Sequence, residues 1–115
     1  MKKSNKNLIA ISVNGNNIEA GIEECFGKSH YFFIADIPQK NFEFIKNPAM
    51  DLPKMSGKKA AMHLARIGVK AIFSGNFGVE VKKILDKNDI QIVILNPNFK
   101  FLKDIPLVKE NYISK

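Results

Sequence analysis

The residue that offers the most chemistry in this chain is its single cysteine, Cys25. It stands in the segment Glu23-Glu24-Cys25-Phe26-Gly27-Lys28-Ser29-His30, which is polar and follows an apolar run, so an accessible loop thiol is expected. A thiolate is a soft ligand that suits iron, copper and molybdenum–sulfur species. Lys28 favours the thiolate, whereas the two glutamates oppose it. Because free cysteine is also among the most buried residue types, a metal ligand and a packed side chain remain equal alternatives on the residues alone.

A second candidate is the turn Gly75-Asn76-Phe77-Gly78, which lies between a predicted strand and a predicted helix. Backbone N–H groups and the positive end of the helix dipole can hold an anion at such a junction. The turn is not a nucleotide P-loop, because no Gly-Lys-Ser/Thr follows it. Purely structural glycine turns are also common at strand–helix junctions, so a ligand site and a structural turn both stay open.

The two histidines, His30 and His63, extend the list of possible ligands. His30 is five residues from Cys25 and is expected to reach the same site, whereas His63 is interpreted as an ordinary helix residue. One cysteine and two histidines do not close a structural zinc site, but they can hold one edge of a preassembled cluster. A Cys25–His30 dyad lacks an evident orienting carboxylate or amide, and no Gly-x-Ser-x-Gly motif is present. We therefore expect a protein that is not an enzyme.

The length of 115 residues predicts one α/β domain over 1–115, with a flexible N-terminus over 1–7 and a loosely defined C-terminal tail over 96–115. The net charge of +7 comes almost wholly from lysine, since Arg66 is the only arginine. Dispersed lysine is more typical of a solvated surface than of a nucleic-acid site. No apolar run approaches a membrane span, and one cysteine suits a reducing compartment, so a cytoplasmic protein is expected.

The apolar pattern predicts the elements that must position these residues. Strands are expected at 8–13, 31–37, 42–46, 69–74 and 90–95, and helices at 57–66, with Ser56 as the N-cap, and at about 79–87. A short helix is expected around 107–112. The order β-β-β-α-β-α-β combines an antiparallel hairpin with a parallel crossover, which gives a mixed five-stranded sheet with helices on its faces. Ligands in such sheets bind at the carboxyl ends of the parallel strands. The loop after Val13, the Ser56-Gly57 helix start and Gly75-Asn76-Phe77-Gly78 are therefore predicted to share one edge.

Several segments, taken together, resemble the nitrogenase iron–molybdenum cofactor biosynthesis family. They cover roughly residues 8–95 and occur in order with compatible spacing. Besides the first strand and the final Ile90-Gln91-Ile92-Val93, they are Cys25-Phe26-Gly27-Lys28-Ser29-His30-Tyr31-Phe32, Lys46-Asn47-Pro48-Ala49, Ser56-Gly57-Lys58-Lys59-Ala60-Ala61 and Val69-Lys70-Ala71-Ile72-Phe73-Ser74-Gly75-Asn76-Phe77-Gly78.

The resemblance implies a ribonuclease-H-like fold that is used for binding and not for nuclease chemistry. Nitrogenase-associated members resemble carriers of cofactor precursors, and other members are stand-alone proteins, including relatives that hold a molybdenum–copper–sulfide cluster. Where nitrogenase-type members commonly have histidine before Phe-Gly and many stand-alone members have arginine, this chain has Cys25. That departure is compatible with soft-metal ligation, but it makes nitrogenase only one of several settings in which such a cofactor-binding protein could act.

The expected function is thus a carrier of an anionic iron–sulfur or molybdenum–iron–sulfur cofactor that exchanges it with donor or acceptor proteins. The expected cofactor-binding residues are Cys25, Phe26, Gly27, Lys28, His30, Gly57, Lys58, Gly75, Asn76 and Gly78, with Cys25 and His30 as metal ligands. The alternatives are a lysine-rich nucleic-acid-binding module and a regulatory interaction protein without a cofactor. No membrane partner is expected, and the cluster and the oligomeric state stay open.

Overall fold

The computed structural model describes residues 7–113, and it contains one five-stranded mixed sheet. The strands are β1 (Leu8–Val13), β2 (Tyr31–Asp36), β3 (Asn41–Lys46), β4 (Val69–Ser74) and β5 (Gln91–Ile94), in the order β3-β2-β1-β4-β5. β1 pairs antiparallel with β2 and parallel with β4, and β4 pairs parallel with β5. The predicted α/β class, mixed sheet and antiparallel hairpin are therefore confirmed. Nearly all of the predicted N-terminal flexible segment, residues 1–6, lies outside the described residues.

Two helices connect the parallel strands: α1 (Ser56–Ile67) and α2 (Val79–Lys87). α1 buries Ala60, Ala61 and Leu64 against the sheet and ends at Gly68, whose φ of 98° is the left-handed conformation that glycine favours. The prediction that Ser56 is the N-cap of α1 is wrong. Ser56 is the first helical residue, and the N-cap is Met55 in the left-handed conformation, with φ 64°. Within residues 7–113, no helix is long and apolar enough to cross a membrane.

Each face of the sheet carries its own hydrophobic core. α1 and α2 cover one face, where the fully buried residues include Phe32, Leu64, Ile72 and Leu85. The C-terminal segment covers part of the other face, through the turn Leu102–Asp104 and the helical turns Pro106–Val108 and Lys109–Ile113. The predicted loosely defined tail thus supplies packed side chains within the described residues: Leu102 and Val108 have no exposed surface.

Candidate functional site

A groove of about 430 Å³ opens at the carboxyl end of β4, between the N-termini of α1 and α2 and the turn after Cys25. We call it the N-cap groove. It is lined by Cys25, Phe26, Gly27, Lys28, Met55, Ser56, Gly57, Lys58, Asn76, Gly78, Val79, Glu80 and Val81. The sequence predicted that these three segments share one edge of the sheet, and the fold brings them together there.

Neither helix that opens on the N-cap groove has a side-chain cap. The N-cap of α1 is Met55, whose side chain accepts no hydrogen bond from the helix, and that of α2 is Gly78, which has no side chain to do so. The first amides of a helix have no partner inside that helix. Two helix ends therefore present uncapped N–H groups and the positive ends of their dipoles to one groove, which is an electrostatic environment that favours an anion.

The turn over residues 25–28, which we call the Cys25 turn, is anchored on both sides. Cys25 forms an isolated parallel bridge with Asn76, and the Phe26 N–H donates to the Asn76 carbonyl at 3.2 Å. The Phe26 ring is buried, with its centroid 5.4 Å from those of both Phe32 and Phe77. Cys25 itself is exposed. The packed-cysteine alternative is therefore wrong, because burial of the neighbouring phenylalanine fixes the turn and leaves the thiol at the surface of the groove.

Asn47 holds the same turn from the side of β3, a role that was not predicted from the sequence. Its side-chain amide is buried and donates to the carbonyls of Gly27, at 3.3 Å, and of Ser29, at 2.8 Å. Its side-chain oxygen accepts the Ala49 N–H at 2.9 Å. The available signal was the Asn-Pro pair directly after a strand, because asparagine often bonds the backbone two residues further on.

Close backbone contact explains two of the predicted glycines. A Cβ atom on Gly27 would lie 2.7 Å from the backbone nitrogen and Cα of Gly57, and one on Gly57 would lie 2.7 Å from Cγ2 of Val81. Side chains at these positions would separate the Cys25 turn from α1 and α1 from α2. Gly78 differs, since a Cβ atom there would have no heavy atom within 4 Å. Gly27 and Gly57 therefore build the groove, whereas Gly78 lies open to it.

Charged side chains near the N-cap groove are mostly basic. Lys28 donates to the carbonyl of Leu52 at 2.9 Å, which ties the Cys25 turn to the loop before α1. Lys58 is half-buried in the first turn of α1. The one carboxylate in the lining, Glu80, lies 3.7 Å from the Lys83 ammonium, an exposed pair one helical turn apart. The two lysines and two helix ends leave the groove electropositive.

Two of the predicted binding residues lie outside the N-cap groove. The His30 ring is half exposed, lies 3.3 Å from the Glu23 carboxylate and is not among the residues that line the groove. Gly75 lines a separate groove of about 340 Å³ with Glu24 and Asn96, and a Cβ atom on it would lie 3.0 Å from the Glu24 Cα. Within residues 7–113, no group of three or more His, Cys, Asp and Glu side chains is placed to hold a metal ion.

The fold and the N-cap groove define a small α/β protein with an electropositive site at the edge of its sheet. The sequence profile described as dinitrogenase iron–molybdenum cofactor matches residues 7–104. The chain belongs to this family, which confirms the resemblance drawn from its motifs. No curated protein matches it in sequence.

Two solved structures share the fold. The apo form of the orange protein from Desulfovibrio gigas is 20% identical with a TM-score of 0.80, over 94% of this chain and 90% of that one. A protein from Thermotoga described as a candidate NifB protein is 18% identical with a TM-score of 0.74, over 92% and 89% of the two chains. At these identities the likeness concerns the fold.

Proposed function

We propose that this protein is a non-catalytic carrier that binds an anionic metal–sulfur cluster in the N-cap groove and exchanges it with donor or acceptor proteins. The observation that carries the proposal is the pair of helix N-termini, α1 and α2, that open uncapped on the same groove. Membership of the dinitrogenase iron–molybdenum cofactor family supports a metal–sulfur cargo of the iron–sulfur or molybdenum–iron–sulfur type.

The chemistry of the groove fits such a cargo. Sulfide ligands of a cluster accept hydrogen bonds, and the uncapped amides of both helices supply donors without a charged fork of arginines. Lys28 and Lys58 offset part of the negative charge. Cys25 is the one soft ligand in the lining that can be deprotonated, and it can bind one metal of the cluster. The proposal leaves His30 out of the ligand set, because its ring contacts Glu23 instead.

A carrier must also release its cargo, and the N-cap groove is suited to exchange. Its thiol is exposed, and Gly78 and Val79 at its margin are exposed too. A cluster held by one thiolate and by amide hydrogen bonds keeps metal positions free for a competing protein ligand. The strand order supports the ribonuclease-H-like assignment that the family resemblance implied, with a binding role on that fold.

The test is anaerobic reconstitution with tetrathiomolybdate, alone and with ferrous iron, followed by gel filtration. We expect a visible chromophore and molybdenum to co-elute with the protein. Cys25→Ser should change or abolish the chromophore because it removes the metal ligand. Lys58→Gln should weaken binding up to about fivefold, as expected for a partly exposed charge pair. Lys87→Gln is the matched control, since Lys87 is exposed at the other end of α2.

Each outcome has a distinct meaning. A wild-type protein that elutes colourless and free of molybdenum contradicts the carrier proposal. A chromophore that Cys25→Ser leaves unchanged contradicts ligation by the thiol. Steeply salt-dependent binding of RNA or DNA, in place of cluster binding, would favour the lysine-rich nucleic-acid alternative.

A further inference from the structure

A buried carboxylate at the opposite end of the sheet has no partner among the described residues. Asp36, the last residue of β2, is 4% exposed, and neither of its side-chain oxygens has a hydrogen-bond partner within residues 7–113. An ionised carboxylate that is removed from water without a partner is strongly unfavourable. The neighbouring Tyr112 responds to this charge: its pKa is raised, mainly by burial of the phenol and secondarily by Asp36.

Asp36 lines a groove of about 490 Å³, which we call the Asp36 groove. Its other lining residues are Leu8, Ile34, Asn41, Phe42, Glu43 and Ile67. In the β2–β3 register Asp36 pairs with Asn41, and Ile34 pairs with Glu43. Since residues two apart in a strand share a face, both carboxylates and the Asn41 amide lie on the same face of the sheet. The polar groups are therefore adjacent, and the remaining lining is apolar.

The residues that line the Asp36 groove favour one kind of cation. Ca²⁺ takes six to eight oxygen ligands, and no described group of three or more Asp, Glu, His and Cys side chains is placed to hold a metal ion. A primary ammonium instead needs about three hydrogen-bond acceptors, which the Asp36 carboxylate and the Asn41 amide oxygen can provide. The apolar walls of Leu8 and Ile67 suit an aliphatic stem.

We propose that the Asp36 groove binds a primary alkylammonium ion, with the charged end on Asp36 and the aliphatic stem along its apolar lining. Glu43, which is exposed, adds negative charge beside the entrance. This site is independent of the N-cap groove, because Asp36 pairs with Leu8 at the start of β1, whereas Cys25 lies beyond the end of that strand. The ammonium can come from a free amine or from a lysine side chain.

The test is calorimetric titration of the full-length protein with pentylamine, with 1-pentanol as the neutral analogue of similar shape. We expect saturable binding of the amine and none of the alcohol. Asp36→Asn keeps the size of the side chain and removes its charge, so it should weaken amine binding by roughly 30-fold or more. Asp86→Asn is the matched control, because Asp86 is exposed on α2. A thermal melt of Asp36→Asn shows that the variant folds, and its midpoint should equal or exceed that of the wild type.

A further variant distinguishes the two sources of the ammonium. Lysines occupy positions 2, 3 and 6 of the sequence, and replacing all three with glutamine removes them as competitors. Amine binding to the wild type supports a free amine as the ligand, whereas binding only to the triple variant supports a lysine of this chain as the natural occupant. The proposal is overturned if neither protein binds pentylamine, or if Asp36→Asn binds it as tightly as the parent does.

Discussion

The contact between Gly27 and Gly57 gives the sharpest prediction, because it separates a packing role from a ligand role at two positions that the sequence assigned to cofactor binding. In Gly27→Ala the new Cβ atom would lie 2.7 Å from two backbone atoms of Gly57 and 3.0 Å from the Ser56 hydroxyl oxygen. Contacts below 3.0 Å essentially do not occur for real Cβ atoms. Backbone cannot rotate away as a flexible side chain can, so the Cys25 turn must move off α1.

The magnitude follows from the cost of overpacking. Inserting a methyl group into a filled site costs typically 1–3 kcal/mol, so we expect Gly27→Ala to lose about 2 kcal/mol. For a domain near 100 residues, each kcal/mol lowers Tm by roughly 4–8 °C. We therefore expect the Tm of Gly27→Ala to fall by about 8–16 °C.

The assay is a thermal melt followed by circular dichroism, with Gly15→Ala as the matched control. A Cβ atom on Gly15 would have Ala20 Cβ as its nearest neighbour at 3.5 Å, an ordinary van der Waals distance. We expect that control to stay within about 0.5 kcal/mol of the wild type, as surface substitutions usually do. If Gly27→Ala has the same Tm as the wild type, the close contact between Gly27 and Gly57 does not determine how the Cys25 turn packs on α1.

Three other perturbations test features described above. Asn47→Ala should lower the free energy of unfolding by about 1–3 kcal/mol, measured by urea denaturation, because two carbonyls of the Cys25 turn lose a donor; an unchanged midpoint would contradict its anchoring role. Met55→Gly should raise Tm, since glycine adopts a φ of 64° without strain; a lower Tm would show that the Met55 side chain stabilises the fold. The raised pKa of Tyr112 means that the folded protein retains a phenol proton that the unfolded chain releases, so stability should fall as pH rises above about 10. Unfolding free energies at pH 9 and 11 should show a smaller fall in Tyr112→Phe, and the same fall in both proteins would contradict the assignment.

The strands could be predicted closely because their signal is local. The apolar runs at 8–13 and 69–74 coincide with β1 and β4, and those at 31–37 and 90–95 exceed β2 and β5 by one residue and by one at each end. Strand order also predicted that the segments of the N-cap groove meet at one edge of the sheet, since a parallel crossover places helix starts at the carboxyl ends of strands. The location of the site could thus be predicted from the strands and helices, because the topology determines which segments are neighbours.

The finer geometry could not be predicted, because it depends on contacts between distant residues. Sequence proximity suggested that His30 joins Cys25, but the intervening turn Phe26–Lys28 places the His30 ring beside Glu23. The buried, unpartnered state of Asp36 depends on its pairing with neighbouring strands and not on its own segment. The position of Met55 as N-cap also escaped prediction, since methionine is neither a common cap nor a common left-handed residue.

Under the proposed function, the missing side-chain caps of α1 and α2 set stability against cargo capacity. An Asp at an N-cap adds roughly a few tenths of a kcal/mol relative to glycine, so Gly78→Asp would be a modest stabilising change in an ordinary helix. Here the new carboxylate would take the amides of α2 for itself and place a negative charge in the N-cap groove. A thermostable version of this protein selected only by melting temperature would thus tend to close the proposed anion site.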